Sequence, residues 1–99
     1  MRINICYDDP HDIDIIDVPA SIGKKIECVQ KEFFIWMFDK NNDHEYWVIE
    51  NGKKKYCSYG TLEFVEWINN NYLLNSSARA SIVACNLTCI ESDNPTLYF

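Results

Sequence analysis

Apolar and polar residues alternate from the start of the chain. In Arg2-Ile3-Asn4-Ile5-Cys6-Tyr7, the side chains of Ile3, Ile5 and Tyr7 fall on one side, and a period of two predicts a strand. Asp8-Asp9-Pro10-His11 breaks the pattern as a turn. Asp12-Ile13-Asp14-Ile15 resumes it, predicting a second short strand that can fold back on the first. Pro19 suits the first turn of a helix, and from Ala20 the period lengthens. Ile22, Ile26, Val29, Phe33 and Met37 lie on one helical face, with Lys24, Lys25, Glu27 and Lys31 elsewhere. This spacing predicts a helix over 20–38. Phe34, Ile35 and Phe38 point off that stripe, so the last two turns are apolar nearly all round. Either a second layer covers them or they form an interaction patch. An alternative reading makes Phe33–Phe38 a strand after a shorter helix.

A polar loop, Asp39-Lys40-Asn41-Asn42-Asp43, separates this region from the clearest local signal. Glu45-Tyr46-Trp47-Val48-Ile49-Glu50 is rich in strand formers, Asn51-Gly52 is the favoured two-residue hairpin turn, and Lys53–Tyr59 returns. Gly60-Thr61 opens a second helix, with Thr61 as the expected N-cap and Glu63 and Glu66 near its positive end. Phe64, Val65, Ile68 and Tyr72 form its expected buried face. Trp67 lies about 100° from the centre of that stripe, in the helical geometry of 3.6 residues per turn. Asn69-Asn70-Asn71 weakens the helix and Asn75-Ser76-Ser77 ends it. Arg79 to Glu91 alternates as a long strand, with Val83, Cys85, Leu87 and Cys89 on one face and Ile82, Ala84, Asn86, Thr88 and Ile90 on the other. Thr96–Phe99 can pair back after the Ser92–Pro95 turn. The expected fold is a single α+β domain over 1–99, in the order β-β-α-β-β-α-β-β. It is a two-layer sandwich, with an antiparallel or mixed sheet and two helices packed on one face.

Composition narrows the function classes. The 99 residues carry nine Lys+Arg against fifteen Asp+Glu, a formal net charge of −6. That argues against nucleic acid as a direct partner, because phosphate binding needs a basic footprint, and against an anionic membrane surface. No apolar run is long enough to span a bilayer, and the first residues show no secretory leader. The five cysteines include no Cys-x-x-Cys pair, so neither a zinc ribbon nor a thioredoxin-type motif is expected. They are read as free thiols, mostly small buried hydrophobes, in a reducing cytoplasm.

Candidate chemistry is sparse. A nucleophile triad needs a histidine base, and the two histidines, His11 and His44, both fall in predicted turns. Three scattered glycines cannot build a phosphate-cradling loop. No catalytic residue, metal site or cofactor is expected. Charge is more informative. Residues 1–17 carry a net −4 and residues 56–99 a net −3, whereas residues 18–55 are near neutral. If both ends lie in one sheet, their fields add and steer a basic partner. Asp8, Asp9, Asp12 and Asp14 on one side and Glu63, Glu66 and Trp67 on the second helix are the candidate partner-binding residues. Aromatics off a core stripe, such as Trp67, Phe34 and Phe38, are the types that anchor interfaces.

Glu32-Phe33-Phe34-Ile35-Trp36-Met37-Phe38-Asp39 and Tyr59-Gly60-Thr61-Leu62-Glu63-Phe64-Val65-Glu66-Trp67-Ile68-Asn69 resemble the helical segments of small acidic bacterial immunity proteins. Those proteins neutralise the toxin domains of contact-dependent growth inhibition and other polymorphic toxin systems. The resemblance rests on length, acidity, aromatic load and the α+β pattern, and it assigns no individual residue. It implies a cytoplasmic, non-enzymatic inhibitor, monomer or weak dimer alone, that binds one cognate toxin domain, often a basic nuclease. The rival readings are a small metal-binding or hydrolytic enzyme using His11, His44 and the N-terminal carboxylates, and a phage-encoded inhibitor.

Overall fold

Strand β1 (Arg2–Cys6) pairs antiparallel with β2 (Ile13–Asp17), Ile3 lying opposite Ile16 and Cys6 opposite Ile13. The structure is a computed structural model that describes residues 1–9 and 11–99. Pro10, expected in the β1–β2 turn, lies outside the described residues. A single helical turn, α1 (Ala20–Gly23), leads into α2 (Ile26–Met37). The hairpin strands β3 (Trp47–Glu50) and β4 (Lys53–Cys57) follow, then α3 (Thr61–Asn71), β5 (Ser81–Leu87) and β6 (Thr96–Tyr98). The main sheet has the order β5-β2-β1-β6, with β6 parallel to β1 and the other pairs antiparallel. This is a small α+β fold with a mixed sheet.

The expected helical stripe is the core. Ile22, Ile26, Val29, Phe33 and Met37 are all buried, against Ile3, Ile5, Ile16 and Val18 of the sheet and Phe64, Val65 and Ile68 of α3. Phe33 sits at the centre, with ring contacts to Tyr59, Phe64, Trp67 and Phe99. Edge-on pairs of this kind add to the burial of apolar area. Phe33–Met37 is helix, so the alternative strand reading does not hold.

Four expectations are corrected. The long helix over 20–38 is broken at Lys24-Lys25. Lys25 leaves helical geometry at φ −125° and ψ 29°, yet Ile22 and Ile26 both reach the core across the break. The hairpin does not join the main sheet but forms a two-stranded sheet of its own. Its turn is as the sequence predicts: Asn51 and Gly52 have φ of 53° and 74°, the pair of positive values that a twist-matched two-residue turn demands. The N-cap of α3 is Gly60, not Thr61. Its N–H donates to Glu63 Oε2 at 3.0 Å, while the Thr61 hydroxyl turns inward to Asp14. Lastly, the alternation along β5 fails midway. From Ile16↔Ile82 to Ile15↔Ala84 and then to Ile13↔Leu87, β5 uses an extra residue at each step. Asn86 absorbs the second in a left-handed conformation, φ 57°, and Leu87 turns inward in its place.

Strands β5 and β6 occupy opposite edges of the main sheet, so residues 88–95 must cross it. They cross on the face away from the helices, where Asn4 holds them. Its Nδ2 donates to Glu91 O at 2.9 Å and its Oδ1 accepts from Glu91 N at 3.3 Å. A buried amide in an otherwise apolar strand is thereby satisfied.

Candidate functional site

The β1–β2 turn and the first turn of α3 lie side by side, and one buried polar chain ties them together. Asp14 Oδ2 accepts from the Thr61 hydroxyl, and Asp14 Oδ1 accepts from Asn86 N–H at 3.2 Å. The Thr61 proton is thereby committed, so the Tyr7 hydroxyl donates to Thr61 Oγ1, at 2.6 Å. This chain links β1, β2, α3 and the bulge of β5. It fixes the helix start against the sheet.

Around it the carboxylates gather. The Tyr7 hydroxyl is pushed up to about 12, first by burial, with Asp14, Asp12 and Glu63 adding to the rise. Tyr46, just ahead of β3, is also raised, by burial and then by Glu66, Glu45 and Glu63. A negative charge beside a phenol disfavours a second one. Glu63 adds to the rise at both rings. Asp8 and Asp9 lie exposed on the same turn. Asp9 Oδ1 accepts from His11 N at 2.9 Å and Asp9 O from Asp12 N at 3.1 Å. Asp8, Asp9 and Asp12 on the turn and Glu63 and Glu66 on α3 make up an acidic border at this junction, and Glu45 comes near it through its neighbour Tyr46, whose hydroxyl donates to Glu66 Oε2 at 3.5 Å.

Two of the candidate binding residues are not on that surface. Trp67 is only 7% exposed, and its ring packs on Phe33, Trp36 and Tyr72. The wheel placed it off the stripe because the wheel considers one covering layer. Helix α3 is covered on two sides, by the sheet and by α2, and Trp67 fills the second contact. Asp14 is 8% exposed, and both of its oxygens are spent inside the fold. Leu62 is the exposed apolar residue of α3 instead: it is 55% exposed, adjacent to Glu63 and one helical turn from Glu66. Its spacing from Glu66 was legible on the wheel. Glu45 was not, because only the tertiary structure brings the pre-hairpin loop to α3.

His44 is engaged on both ring nitrogens and both ring faces. The His44 ring is stacked between Trp36 and Trp47, at 4.6 Å and 5.5 Å between centroids. Its Nδ1 accepts from Tyr46 N–H at 3.2 Å, which assigns the proton to Nε2, facing Met37 O at 2.7 Å. As held, the ring offers no free lone pair to a metal or a substrate. It staples the loop and hairpin to the end of α2. His11 is exposed in its turn. Among the described residues, no group of three or more His, Cys, Asp or Glu is placed to hold a metal ion.

The cysteines are free, as expected. Only Cys6 is buried and Cys57 half-buried, while Cys28, Cys85 and Cys89 are exposed, which corrects their reading as core residues. A concavity of about 250 Å³ is lined by the consecutive residues Lys24–Cys28 at the helix break. It lies along one short segment and gathers no residues from elsewhere in the fold. No helix among the described residues is long and apolar enough to cross a membrane. Compared with known proteins, the chain matches no family model, no curated protein and no solved structure.

Proposed function

We propose that this chain is a protein-binding inhibitor of the immunity-protein kind, which occludes the active site or substrate groove of a basic toxin domain, most readily a nuclease, in the cytoplasm. The observation that supports the reading is the meeting of two acidic segments far apart in sequence: the N-terminal turn reaches the start of α3 through Tyr7 and Asp14 on Thr61, and Glu63 and Glu66 follow on the same helix. Asp8, Asp9 and Asp12 from the N-terminal turn and Glu63 and Glu66 from α3 stand in for nucleic-acid phosphates against the toxin's Lys and Arg. Leu62 supplies exposed apolar area among them. Such a border speeds encounter and selects partners more than it adds raw affinity. The enzyme reading would require His44 to release both of its hydrogen bonds and leave its two-indole stack before it could act.

The test is to mix the purified chain with the toxin-like domain encoded beside its gene. Nuclease activity is then followed as the chain is titrated. A stoichiometric complex with loss of nuclease activity is the expected result. No complex, or a complex with full nuclease activity, would sink the proposal.

A further inference from the structure

A row of partly exposed aromatic rings runs away from the acidic border. Tyr7, at the border, packs on Phe99 at 5.7 Å. Phe99 packs on Phe34 at 5.5 Å, and Phe34 on Phe38 at 5.8 Å. Tyr59 closes the row edge-on against Phe38 at 5.9 Å. Phe34 belongs to α2, Phe38 caps its end, and Tyr7, Tyr59 and Phe99 follow β1, β4 and β6, so only the tertiary structure assembles them. Phe38 is 50% exposed and the other four are half-buried. Phe34, Tyr59 and Phe99 pack inward on Phe33, which with Phe64 fills the centre of the core, while Phe38 stands outside it.

We propose that this row is a recognition surface for arginine side chains of a basic polypeptide, with Asp12 and Glu63 receiving guanidinium charge at the Tyr7 end and Phe38 and Tyr59 offering ring faces at the other. The occupant follows from charge and shape together. A net charge of −6 and a carboxylate border exclude an acidic partner. Ring faces carry negative electrostatic potential and attract cations, the planar guanidinium better than the compact ammonium. A purely apolar helix would gain nothing from the carboxylates, and a lysine-rich one would gain little from the rings. The inference rests on the inhibitor reading for its biological partner and shares Asp12 and Glu63 with it, but its five rings are residues that reading does not use.

The experiment uses the full chain and two defined probes, an octa-arginine and an octa-lysine peptide, titrated by calorimetry at fixed ionic strength. The expected result is tighter binding of the arginine peptide, by roughly threefold or more. Phe38→Leu keeps apolar volume but lacks a ring face, and it should abolish the preference while leaving lysine binding unchanged. Phe38→Tyr should retain it. Circular dichroism confirms that each variant folds. Equal binding of the two peptides, or a preference that survives Phe38→Leu, overturns the inference. If the chain captures its toxin with undiminished affinity after Phe38→Leu, the inhibitor reading stands and the aromatic row is not its arginine surface.

Discussion

At the scale of single residues, the buried chain Tyr7–Thr61–Asp14 carries the clearest pH dependence. The folded Tyr7 hydroxyl is raised to about 12, chiefly by burial, while an unfolded tyrosine ionises near 10. The stability that comes from keeping Tyr7 neutral is fully present below about pH 10 and is lost as pH climbs toward 12, because the unfolded state releases its proton first. Urea midpoints measured from pH 8 to 12 should fall across that window. In Tyr7→Phe the fall should be smaller, with the remainder due to Tyr59, Tyr46 and the thiols of Cys6, Cys57 and Cys85, which are raised as well. Trp67 gives a second prediction. Its Nε1 is buried with no acceptor among the described residues. Trp67→Phe removes that unsatisfied donor together with some area, so its stability should change by no more than about 1 kcal/mol. Trp67→Ala should cost about 3–5 kcal/mol through the cavity it opens. A loss from Trp67→Phe as large as that from Trp67→Ala would show that the indole N–H is satisfied after all.

At the scale of elements, the hairpin is the part most loosely tied. A two-stranded hairpin alone is marginal in water, and β3–β4 shares no ladder with the main sheet. It is held through the Trp36–His44–Trp47 stack, the Cys57 thiol on Met37 O at 3.2 Å, and Lys54, which reaches Asp43 and Lys40 O. Amide exchange should therefore be faster in Trp47–Cys57 than in β1 and β2, which are nearly closed from solvent. Equal protection of the two sheets would contradict this. Helix α3 shows the opposite case. Asn69, a weak helix former, earns its place by tertiary bonding: its side chain accepts from Ala80 N at 2.7 Å and donates to Ala80 O at 3.0 Å, setting the start of β5.

At the scale of the whole molecule, charge and shape combine. The chain is flat, with principal extents of 45 × 35 × 18 Å and a radius of gyration of 14.2 Å. A compact chain of this length would have about 13 Å. A flat body offers broad faces to a partner. Neutralising Asp8, Asp9 and Asp12 to Asn should slow association with a basic partner by about tenfold at low salt and flatten its salt dependence. Stability should hardly change, since these side chains lie outside the core. Stopped-flow association at several salt concentrations measures this, and an unchanged salt slope would remove the turn from the binding surface.

Element types and the core stripe were legible in the residues because each is a short-range property. Ile22 to Met37 recur at helical spacing, Ile3 and Ile5 at strand spacing, and Asn51-Gly52 has one favoured turn geometry; burial then follows from periodicity. The candidate site was legible only in part. Local pattern marks which side of one helix is apolar, but it does not reveal a second layer, so by pattern alone Trp67 belongs to the surface and Asp14 to a partner. Which strand pairs with which, where β5 bulges, and that the N-terminal turn reaches the start of α3 are all set by contacts between residues far apart in the chain. Those contacts depend on how the helices and the crossing segment 88–95 fill the space on the two faces of the sheet, and packing of that kind has no signature in any one stretch of sequence.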